Sequence, residues 1–426
     1  MSNWEEEPLE KVMLFIKDGS HGTHKDYENG IPLLSAKDIE KGKVLIPEDC
    51  RKISEKDFDQ IHTNYQILEN DIALTIVGTI GRVAIIENKI QKFTFQRSVG
   101  IFRVDTAHIY PKYCFHYFTS NRFQEALERS KNASAQGGVY LGELAKIKIS
   151  YPSISEQRQI ATILSTADAV IEKTQAAIAK YKAIKQGMLQ DLFTRGILTK
   201  DIKYKDKNGT WVERSRNQLR PSYQDAPELY KESKLGWIPK EWEVERIDKL
   251  CQITTGNKDT QNKQEYGEYA FFVRSQTVEK IDSYSYDGEA ILTAGDGVGV
   301  GKIYHYINGK FDFHQRVYML YEFEKIIAPK FLFYYFSTNF LAEVDRCSAK
   351  TTVDSVRMEM IAGMIVPLPN ISEQISIAEK LITLESKLQT EQDFLHKQQQ
   401  IKAGLMNDLL SGRKKVSIKE NITSNE

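Results

Sequence analysis

The sequence lacks net charge, closely spaced cysteines and long hydrophobic runs. Its 58 lysine and arginine residues are balanced by 58 aspartate and glutamate residues, so the chain has no overall basic excess with which to coat nucleic-acid phosphates. The four cysteines are far apart and form no Cys-x-x-Cys pair, which favours reduced thiols over a disulfide framework or structural zinc. No apolar run approaches the roughly 18 residues of a membrane span, and the acidic first residues are not typical of a signal peptide. We therefore expect a cytoplasmic protein without a membrane segment or metal site.

An internal repeat of half the chain length is the main feature that the sequence does contain. Residues 111–121 return in modified form at 329–339, and Ile-Ser-Glu-Gln occurs at 154–157 and again at 371–374. A period this long indicates a duplicated domain rather than a solenoid of short repeats. Each copy begins with short strand-like runs separated by Gly, Asn and Asp, and ends with a long helical pattern. The predicted fold class is α+β, with two similar mixed α/β domains.

Each long helix is predicted from a start signal and a hydrophobic spacing. Ser153-x-x-Glu156 and Asn370-x-x-Glu373 are typical of capping boxes, in which two side chains satisfy the free backbone N–H groups of a first turn. Apolar residues then recur at about 3.5-residue spacing, which predicts a coiled-coil seam. The main seam residues are Ile160, Leu164, Ile171, Ile178 and Leu192 in the first helix, and Ile377, Leu381, Leu388, Leu395 and Leu409 in the second.

The length of these helices favours pairing with each other. A core helix inside one domain is the usual source of an apolar stripe, but globular helices average only about 11–12 residues. We predict an antiparallel coiled coil. In that arrangement the end of the first helix, capped by Gly196, lies beside the start of the second helix, and the linker can enter the second copy directly. Gly412 caps the second helix in the same way. The two domains would be separated by the helices and related by a pseudo-twofold axis, with polar seam residues such as Lys185 and Lys402 setting the register.

The repeat divides the chain into six predicted segments. A polar, mildly basic linker joins the halves, and its basic run is open to three explanations: an extension of the helix, contact with DNA, or solvation. Trp242 opens the second copy and matches Trp4 in the first. The segments are 1–152 (first globular domain), 153–197 (central helix), 198–240 (linker), 241–369 (second globular domain), 370–413 (C-terminal helix) and 414–426 (polar tail).

Catalytic motifs are not convincing anywhere in the sequence. The glycine-rich run at 295–303 has five residues between Gly295 and Gly301, and Ile303 follows Lys302. A phosphate-binding loop needs four residues and then Lys and Ser or Thr, so we predict a structural hairpin or a DNA-facing turn instead. His21-x-x-His24 lacks further ligands for a metal site. The sequence has no Asp/Asn-Pro-Pro-Tyr methyltransferase motif, and we predict that the chain alone is not an enzyme.

The ordered recurrence of these features resembles the specificity subunit of a type I restriction–modification system. The resemblance depends on the Gly-Trp-Ile-Pro-x-x-Trp segment at 236–242, the two Ile-Ser-Glu-Gln helix starts, and the helix ends at 185–193 and 402–410. It covers nearly the whole chain. The first copy departs from the pattern, because Trp4 lies almost at the start without the Gly-Trp-Ile-Pro lead that precedes Trp242.

The resemblance implies a function and a set of partners. Each globular domain would be a target-recognition domain that reads one half of an asymmetric, bipartite site in double-stranded DNA, and the helices would set the gap between the halves. The helices would also dock two modification subunits, which in this family carry S-adenosylmethionine and methylate adenine; two restriction subunits can join them. This chain itself would need no cofactor. The alternative is a scaffold that uses the helices to space two protein-binding domains and binds no DNA.

Basic residues in the loops of each copy are the candidates for DNA contact, because arginine reads guanine edges and lysine holds phosphates. A structural role for the Gln-Arg pairs at 96–97 and 315–316 remains open, since a feature present in both copies cannot explain two different half-sites. Lys131 and Lys350 lie in small, polar stretches before the last strand of each copy. The candidates are Arg82, Arg97 and Lys131 in the first copy, and Lys302, Arg316 and Lys350 in the second.

Overall fold

The computed structural model describes residues 4–87, 91–132, 138–348 and 356–417. The chain divides into two compact units. The first unit comprises Met1–Ala176 and Asp393–Glu426, and the second comprises Ala177–Gln392. Both long helices contribute to both units.

The elements from the first domain through the central helix alternate short strands with helices. They are β1 (Glu5–Pro8), α1 (Leu9–Val12), β2 (Met13–Asp18), β3 (Ile31–Leu34), β4 (Ile39–Glu40), β5 (Lys43–Val44), β6 (Lys52–Ile53), α2 (Glu55–Ile61), β7 (Ile72–Thr75), β8 (Val83–Ile85), β9 (Thr94–Phe95), β10 (Val99–Val104), α3 (Pro111–Phe118), α4 (Asn121–Asn132), α5 (Leu141–Lys146), β11 (Lys148–Tyr151) and α6 (Ile154–Thr194).

The remaining elements begin with two hairpins and continue with the second domain and the C-terminal helix. They are β12 (Ile202–Lys205), β13 (Trp211–Arg214), β14 (Tyr230–Ser233), β15 (Gly236–Pro239), β16 (Glu243–Arg246), β17 (Gln252–Thr255), β18 (Tyr269–Phe272), β19 (Glu279–Ile281), β20 (Tyr286–Ala294), β21 (Tyr304–Phe313), β22 (Val317–Tyr321), α7 (Pro329–Ser348), α8 (Met358–Gly363), β23 (Ile365–Leu368) and α9 (Ile371–Leu409).

The sheets of the two units have the same strand order, which confirms the predicted duplication. The second unit has one six-stranded sheet in the order β17-β22-β20-β21-β18-β19. The first unit has the equivalent order in two pieces, β2-β10-β7-β8 and β9-β3-β6. The difference lies in β21, a continuous ten-residue strand whose place in the first unit is taken by the separate strands β8 and β9. Each unit also has a parallel strand pair at the equivalent place, β3 with β9 in the first unit and β18 with β21 in the second.

Aromatic residues from the repeated helical segment fill the core beneath each sheet. In the first unit the ring of Phe118 stacks on Phe123 with centroids 4.1 Å apart, and it contacts Phe102 of β10 edge-on. In the second unit Phe336 stacks on Phe340 at 4.5 Å. These side chains are almost fully buried, and Phe118 and Phe336 show that the repeat at 111–121 and 329–339 supplies a counterpart aromatic residue to each core.

The two predicted long helices are present as α6 and α9 and follow the predicted seam. The residues listed for the seam are buried or half-buried, whereas most residues between them are exposed. In the first unit Ile160 and Leu164 of α6 lie in one core cluster with Leu409 of α9. In the second unit Leu192 of α6 shares a cluster with Ile377 of α9. Within each unit, therefore, the beginning of one helix packs beside the end of the other, as the antiparallel prediction requires.

Two polar seam residues make equivalent ion pairs between the helices. Lys185 of α6 pairs with Glu385 of α9 at 2.5 Å in the second unit. Lys402 of α9 pairs with Asp168 of α6 in the first unit. Lys185 and Lys402 are repeat counterparts, and so are Glu385 and Asp168. The two ion pairs therefore fix the register of the helices in the same way.

The predicted linker at 198–240 is folded into two hairpins, β12–β13 and β14–β15. Its residue Arg220 is buried and donates hydrogen bonds to Glu373 at 3.1 Å and Glu241 at 3.0 Å. Solvation therefore does not explain this member of the basic run.

Only one of the two predicted capping boxes forms. At the start of α6, Glu156 accepts hydrogen bonds from the backbone N and hydroxyl of Ser153, whose hydroxyl in turn accepts from the Glu156 N–H. At the start of α9, Asn370 accepts from the Glu373 N–H at 3.0 Å. The Glu373 carboxylate, however, accepts from the backbone of Ile197, from Arg220 and from the indole of Trp242. The second prediction was wrong because three donors distant in the chain, Ile197, Arg220 and Trp242, take up the Glu373 carboxylate.

A glycine and a tryptophan meet at the end of each long helix. Gly196 follows α6 with a φ of +65°, and a Cβ there would lie 2.3 Å from the ring of Trp242. Gly412 follows α9 with a φ of +72°, and a Cβ there would lie 3.0 Å from the ring of Trp4. The glycines therefore admit both the left-handed turn and the close approach of the indole.

Candidate nucleic-acid interface

Two loops of the first unit bring Arg82 and Arg97 to the same end of the sheet. Arg82 lies in the tight connection between β7 and β8, and Arg97 lies in the turn between β9 and β10. The Thr75 N–H donates to the Arg82 carbonyl, and the Ile76 N–H donates to the Ser98 carbonyl, both at 2.9 Å. The two turns therefore flank the end of β7. Both arginine side chains are exposed.

The second unit places Lys302 and Arg316 at the equivalent end of its sheet. Lys302 lies in the connection between β20 and β21, and Arg316 lies in the turn between β21 and β22. The Gly295 N–H donates to the Arg316 carbonyl at 2.8 Å. Lys302 and Arg316 are exposed, as is Val298 at the tip of the first connection, with 95% exposure.

Arg97 and Arg316 do not occupy the same structural position, although the Gln-Arg dipeptide is present in both copies. The Arg97 N–H donates to the Ser20 carbonyl, and in the second unit it is the Gln315 N–H that makes the equivalent bond to Lys258. The structural counterpart of Arg97 is therefore Gln315, and Arg316 stands at the position of Ser98. The repeated Gln-Arg dipeptide is displaced by one residue, so its presence in both copies is no argument against a role in reading different sequences.

The largely buried carboxylate of Asp296 holds Arg316 in the second unit. The sequence alone did not identify this contact. Asp296, whose side chain is 15% exposed, accepts a hydrogen bond from Nη1 of Arg274 at 2.8 Å and from Nη1 of Arg316. Burial by itself raises the pKa of Asp296, but the hydrogen bonds and charges of the two arginines outweigh burial and hold that pKa below its usual range. The position of Asp296 in the glycine-rich run was the available signal; its partners depend on tertiary packing.

Lys131 and Lys350, the other two candidates for DNA contact, add no evidence for this interface. Lys131 lies near the end of α4 and pairs with Glu128 one turn earlier at 2.9 Å, an ordinary surface ion pair. Lys350 lies outside the described residues. Arg97 and Lys302 have no ion pair within the described part of the chain.

The glycine-rich run is a hairpin connection, one of the two structures predicted for it. A single 3₁₀ turn over Gly297–Gly299 joins β20 to its antiparallel partner β21. A strand follows Lys302 where a phosphate-binding loop has a helix. The His, Cys, Asp and Glu residues that the structure describes form no group suited to a metal ion. No helix among those residues is long and apolar enough to span a bilayer.

Equivalent faces of α6 and α9 carry an exposed isoleucine and an exposed glycine. Ile184 of α6 is 38% exposed, and its repeat counterpart Ile401 of α9 is 43% exposed. Gly187 and Gly404 follow three residues later, and a Cβ at either would meet no described atom within 4 Å. A mid-helix glycine costs about 0.5–1 kcal/mol relative to alanine, and packing within this chain does not require one here.

These features define a two-domain recognition protein: similar domains present different arginine-bearing turns and share a pair of long helices. A family model described as the type I restriction modification DNA specificity domain matches residues 1–181 and 239–403. The chain therefore belongs to the family of type I restriction–modification specificity subunits. This is a family named for DNA specificity, in agreement with the prediction of a recognition subunit rather than an enzyme.

Known relatives agree with this assignment. The putative MjaX specificity subunit of Methanocaldococcus jannaschii is 22% identical over 97% of this chain and 94% of its own length. The EcoDI specificity subunit of Escherichia coli is 31% identical over 155 residues, which span 36% of this chain and 34% of that protein. The crystal structure of the S subunit from M. genitalium has the same fold, with a TM-score of 0.64, 14% identity and 96% coverage of both chains.

Proposed function

We propose that this protein directs a type I restriction–modification complex to an asymmetric, bipartite DNA site. Each unit contacts one half-site through the turns at the end of its sheet, and α6 and α9 set the gap between the half-sites. The observation that carries this proposal is that equivalent turns hold different residues, Arg97 and Ser98 in one unit and Gln315 and Arg316 in the other. A shared frame with different turn residues is what two different half-sites require.

The two equivalent helix faces fit a partner that binds twice. Ile184 with Gly187, and Ile401 with Gly404, present an apolar side chain beside an open stretch of backbone. Such a combination allows a partner helix to approach closely, and its repetition favours two copies of one partner. We assign these faces to two modification subunits. These subunits would hold S-adenosylmethionine and supply positive charge that this neutral chain lacks; two restriction subunits would join the complex through them.

Sequencing of native DNA with modification-sensitive long reads tests the DNA role. The host strain and a deletion of this gene are compared. We expect adenine methylation at one asymmetric, gapped motif to disappear in the deletion and to return when the gene is supplied in trans. A methylome that is unchanged by deletion in cells that express all subunits would contradict the proposal and favour the scaffold alternative.

Native mass spectrometry of the purified complex tests the docking faces. Ile184→Glu and Ile401→Glu should each remove one modification subunit, and the double variant should remove both, because a buried glutamate has no partner in an apolar interface. Lys182→Glu and Gln399→Glu are matched controls, since these exposed residues are also repeat counterparts on the same helices. Full assembly of the double isoleucine variant would show that the modification subunits bind elsewhere.

A further inference from the structure

Arg274 and Arg316 form a fixed pair of guanidinium groups on the second unit. Asp296 contributes one carboxylate oxygen to each arginine. Arg274 comes from the loop after β18 and Arg316 from the turn before β22, so one carboxylate joins two loops of the sheet end. The two arginine side chains remain 42% and 62% exposed.

The geometry leaves much of each guanidinium group free for a ligand. The bonds to Asp296 use Nη1 of each arginine, and the Nε and Nη2 groups make no hydrogen bond to the residues that the structure describes. An arginine presents its donors as a planar fork that matches the O6 and N7 acceptors of guanine. An unrestrained arginine loses up to about 2 kcal/mol of side-chain entropy when it is fixed, and the contact with Asp296 removes part of that cost before DNA binds.

Charge and surroundings also favour a DNA ligand at this position. The cluster of two arginines and one aspartate keeps a net positive charge, and Lys302 is exposed in the same connection. Val298, at the tip, offers an apolar surface of the kind that contacts thymine methyl groups. A Cβ at Gly297 would meet no described atom closer than Nη1 of Arg274 at 4.0 Å, and Gly297 and Gly301 have φ values of +74° and +64°.

The pair is specific to the second unit. The position of Arg316 is taken by Ser98 in the first unit, and the hydroxyl of Ser98 accepts a hydrogen bond from the Ala36 N–H at 3.1 Å inside the domain. The bonds of Ile76 to Ser98 and of Gly295 to Arg316 make Val77 the counterpart of Asp296, and valine has no charge with which to hold an arginine. A residue that distinguishes two half-sites must differ between the domains, and this cluster does.

We propose that Asp296 is a positioning residue that holds Arg274 and Arg316 to read guanine in the half-site of the second unit. This inference rests on the proposed function. Asp296 itself would touch no DNA, and its effect would pass through the two guanidinium groups.

Methylation by the reconstituted complex tests this proposal once the bipartite motif is known. Duplexes carrying every single base-pair substitution in both half-sites are compared for the wild type, Arg316→Ala, Arg274→Ala and Asp296→Asn. We expect an arginine variant to lose about 5- to 150-fold of the discrimination at a guanine of one half-site, with no change at the other. Arg316→Lys should not restore it, because lysine lacks the fork. Replacing that guanine by 7-deazaguanine should impair the wild type and leave the variant unaffected.

Asp296→Asn separates positioning from phosphate binding. The variant keeps both arginines and gains positive charge, so a pair that held only phosphates would bind all sequences more tightly and discriminate as before. We expect a weaker discrimination at the same guanine instead. Asp248→Asn is the matched control, because Asp248 holds Arg246 on the surface of the same unit. Uniform effects across all duplexes, or no effect, would overturn the inference; a wild-type complex that methylates no bipartite site would overturn the proposed function itself.

Discussion

The two long helices begin with the same Ile-Ser-Glu-Gln sequence, and comparison of the two starts separates what is shared from what differs. The glutamines behave identically. Gln157 donates to the carbonyls of His108 and Pro152 and accepts from a backbone N–H, and Gln374 makes the equivalent three bonds in the second unit. Both are fully buried. Each glutamine therefore ties the start of its long helix to the loop that leads into the repeated helical segment, α3 in the first unit and α7 in the second.

The glutamates in the same sequence have different partners. Glu156 is partly exposed and caps its own helix, whereas Glu373 is 1% exposed and binds Arg220 and Trp242. The difference arises because Arg220 of the segment 198–240 lies beside Glu373, whereas Glu156 bonds Ser153 at the start of its own helix. Identical local sequences thus acquire different roles when a distant segment supplies new donors.

The largest difference in stability is expected between variants of the two glutamates. Glu373→Ala should lower the free energy of unfolding by about 3–5 kcal/mol, because it leaves the buried Arg220 charge without its main partner. Glu156→Ala should cost only about 1 kcal/mol, the usual effect of a lost helix cap. Urea denaturation followed by tryptophan fluorescence measures both. Gln157→Ala and Gln374→Ala serve as controls and should cost similar amounts; equal losses for the two glutamates would contradict the comparison.

The next largest difference is expected between the two capping glycines. A Cβ at position 196 would lie 2.1 Å from Oε1 of Glu373 as well as against Trp242, whereas at position 412 the nearest contact is 3.0 Å. Gly412→Ala should cost about 1 kcal/mol for the left-handed backbone, and Gly196→Ala should cost about 2–4 kcal/mol because overpacking is added to that strain. Thermal unfolding of both variants tests the order. A Gly196 variant no less stable than the Gly412 variant would show that the second junction can relax.

A pH effect is expected in the first unit and not at the counterpart position of the second. His116 is 1% exposed, 3.0 Å from the Ser165 hydroxyl and 3.8 Å from Asp168, with Lys402 nearby. Burial, only partly offset by Asp168, lowers the pKa of His116 to about 4. The counterpart in the second unit, Tyr334, is uncharged and donates to Glu385 at 2.5 Å.

The sign of this effect follows from the depressed pKa of His116. The unfolded state takes up a proton as the pH falls below about 6.5, and the folded state does so only near 4, so stability is lost across that interval. Between pH 7 and pH 5 the loss should be about 2 kcal/mol. His116→Tyr should abolish this part of the pH dependence, whereas Tyr334→Phe should leave it unchanged. Denaturation at several pH values provides the measurement, and an unaltered pH profile in the His116 variant would refute the assignment.

The smallest effect is expected from the two interhelical ion pairs. Their side chains are between 22% and 38% exposed, so Lys185→Gln and Lys402→Gln should each cost only about 0.2–1 kcal/mol. Lys185 should matter slightly more, because Tyr334 also binds its partner Glu385. Double-mutant cycles at low and high salt measure the coupling. A coupling that does not decline with salt would show that these pairs are shielded from solvent.

Much of the architecture could be predicted from the sequence because it depends on local and periodic signals. The offset between the copies indicated duplication, and the spacing of Ile160, Leu164 and their successors indicated two helices that bury one face. The hairpin at 295–303 could be told from a phosphate-binding loop by counting residues. The DNA role came from the order in which such motifs recur, since no single one is specific.

The partners of individual polar residues could not be predicted, because residues distant in the chain determine them. Glu373 looked like a second capping glutamate until Arg220 and Trp242 were placed beside it. Arg97 and Arg316 looked equivalent until strand register showed that they differ by one position, since a dipeptide can shift within a turn without changing the strands on either side. The sequence by itself determined the duplication, the helices and their seam, all of which follow from apolar periodicity. The tertiary structure alone decided which carboxylate meets which arginine, because ion pairs form between groups that folding brings together.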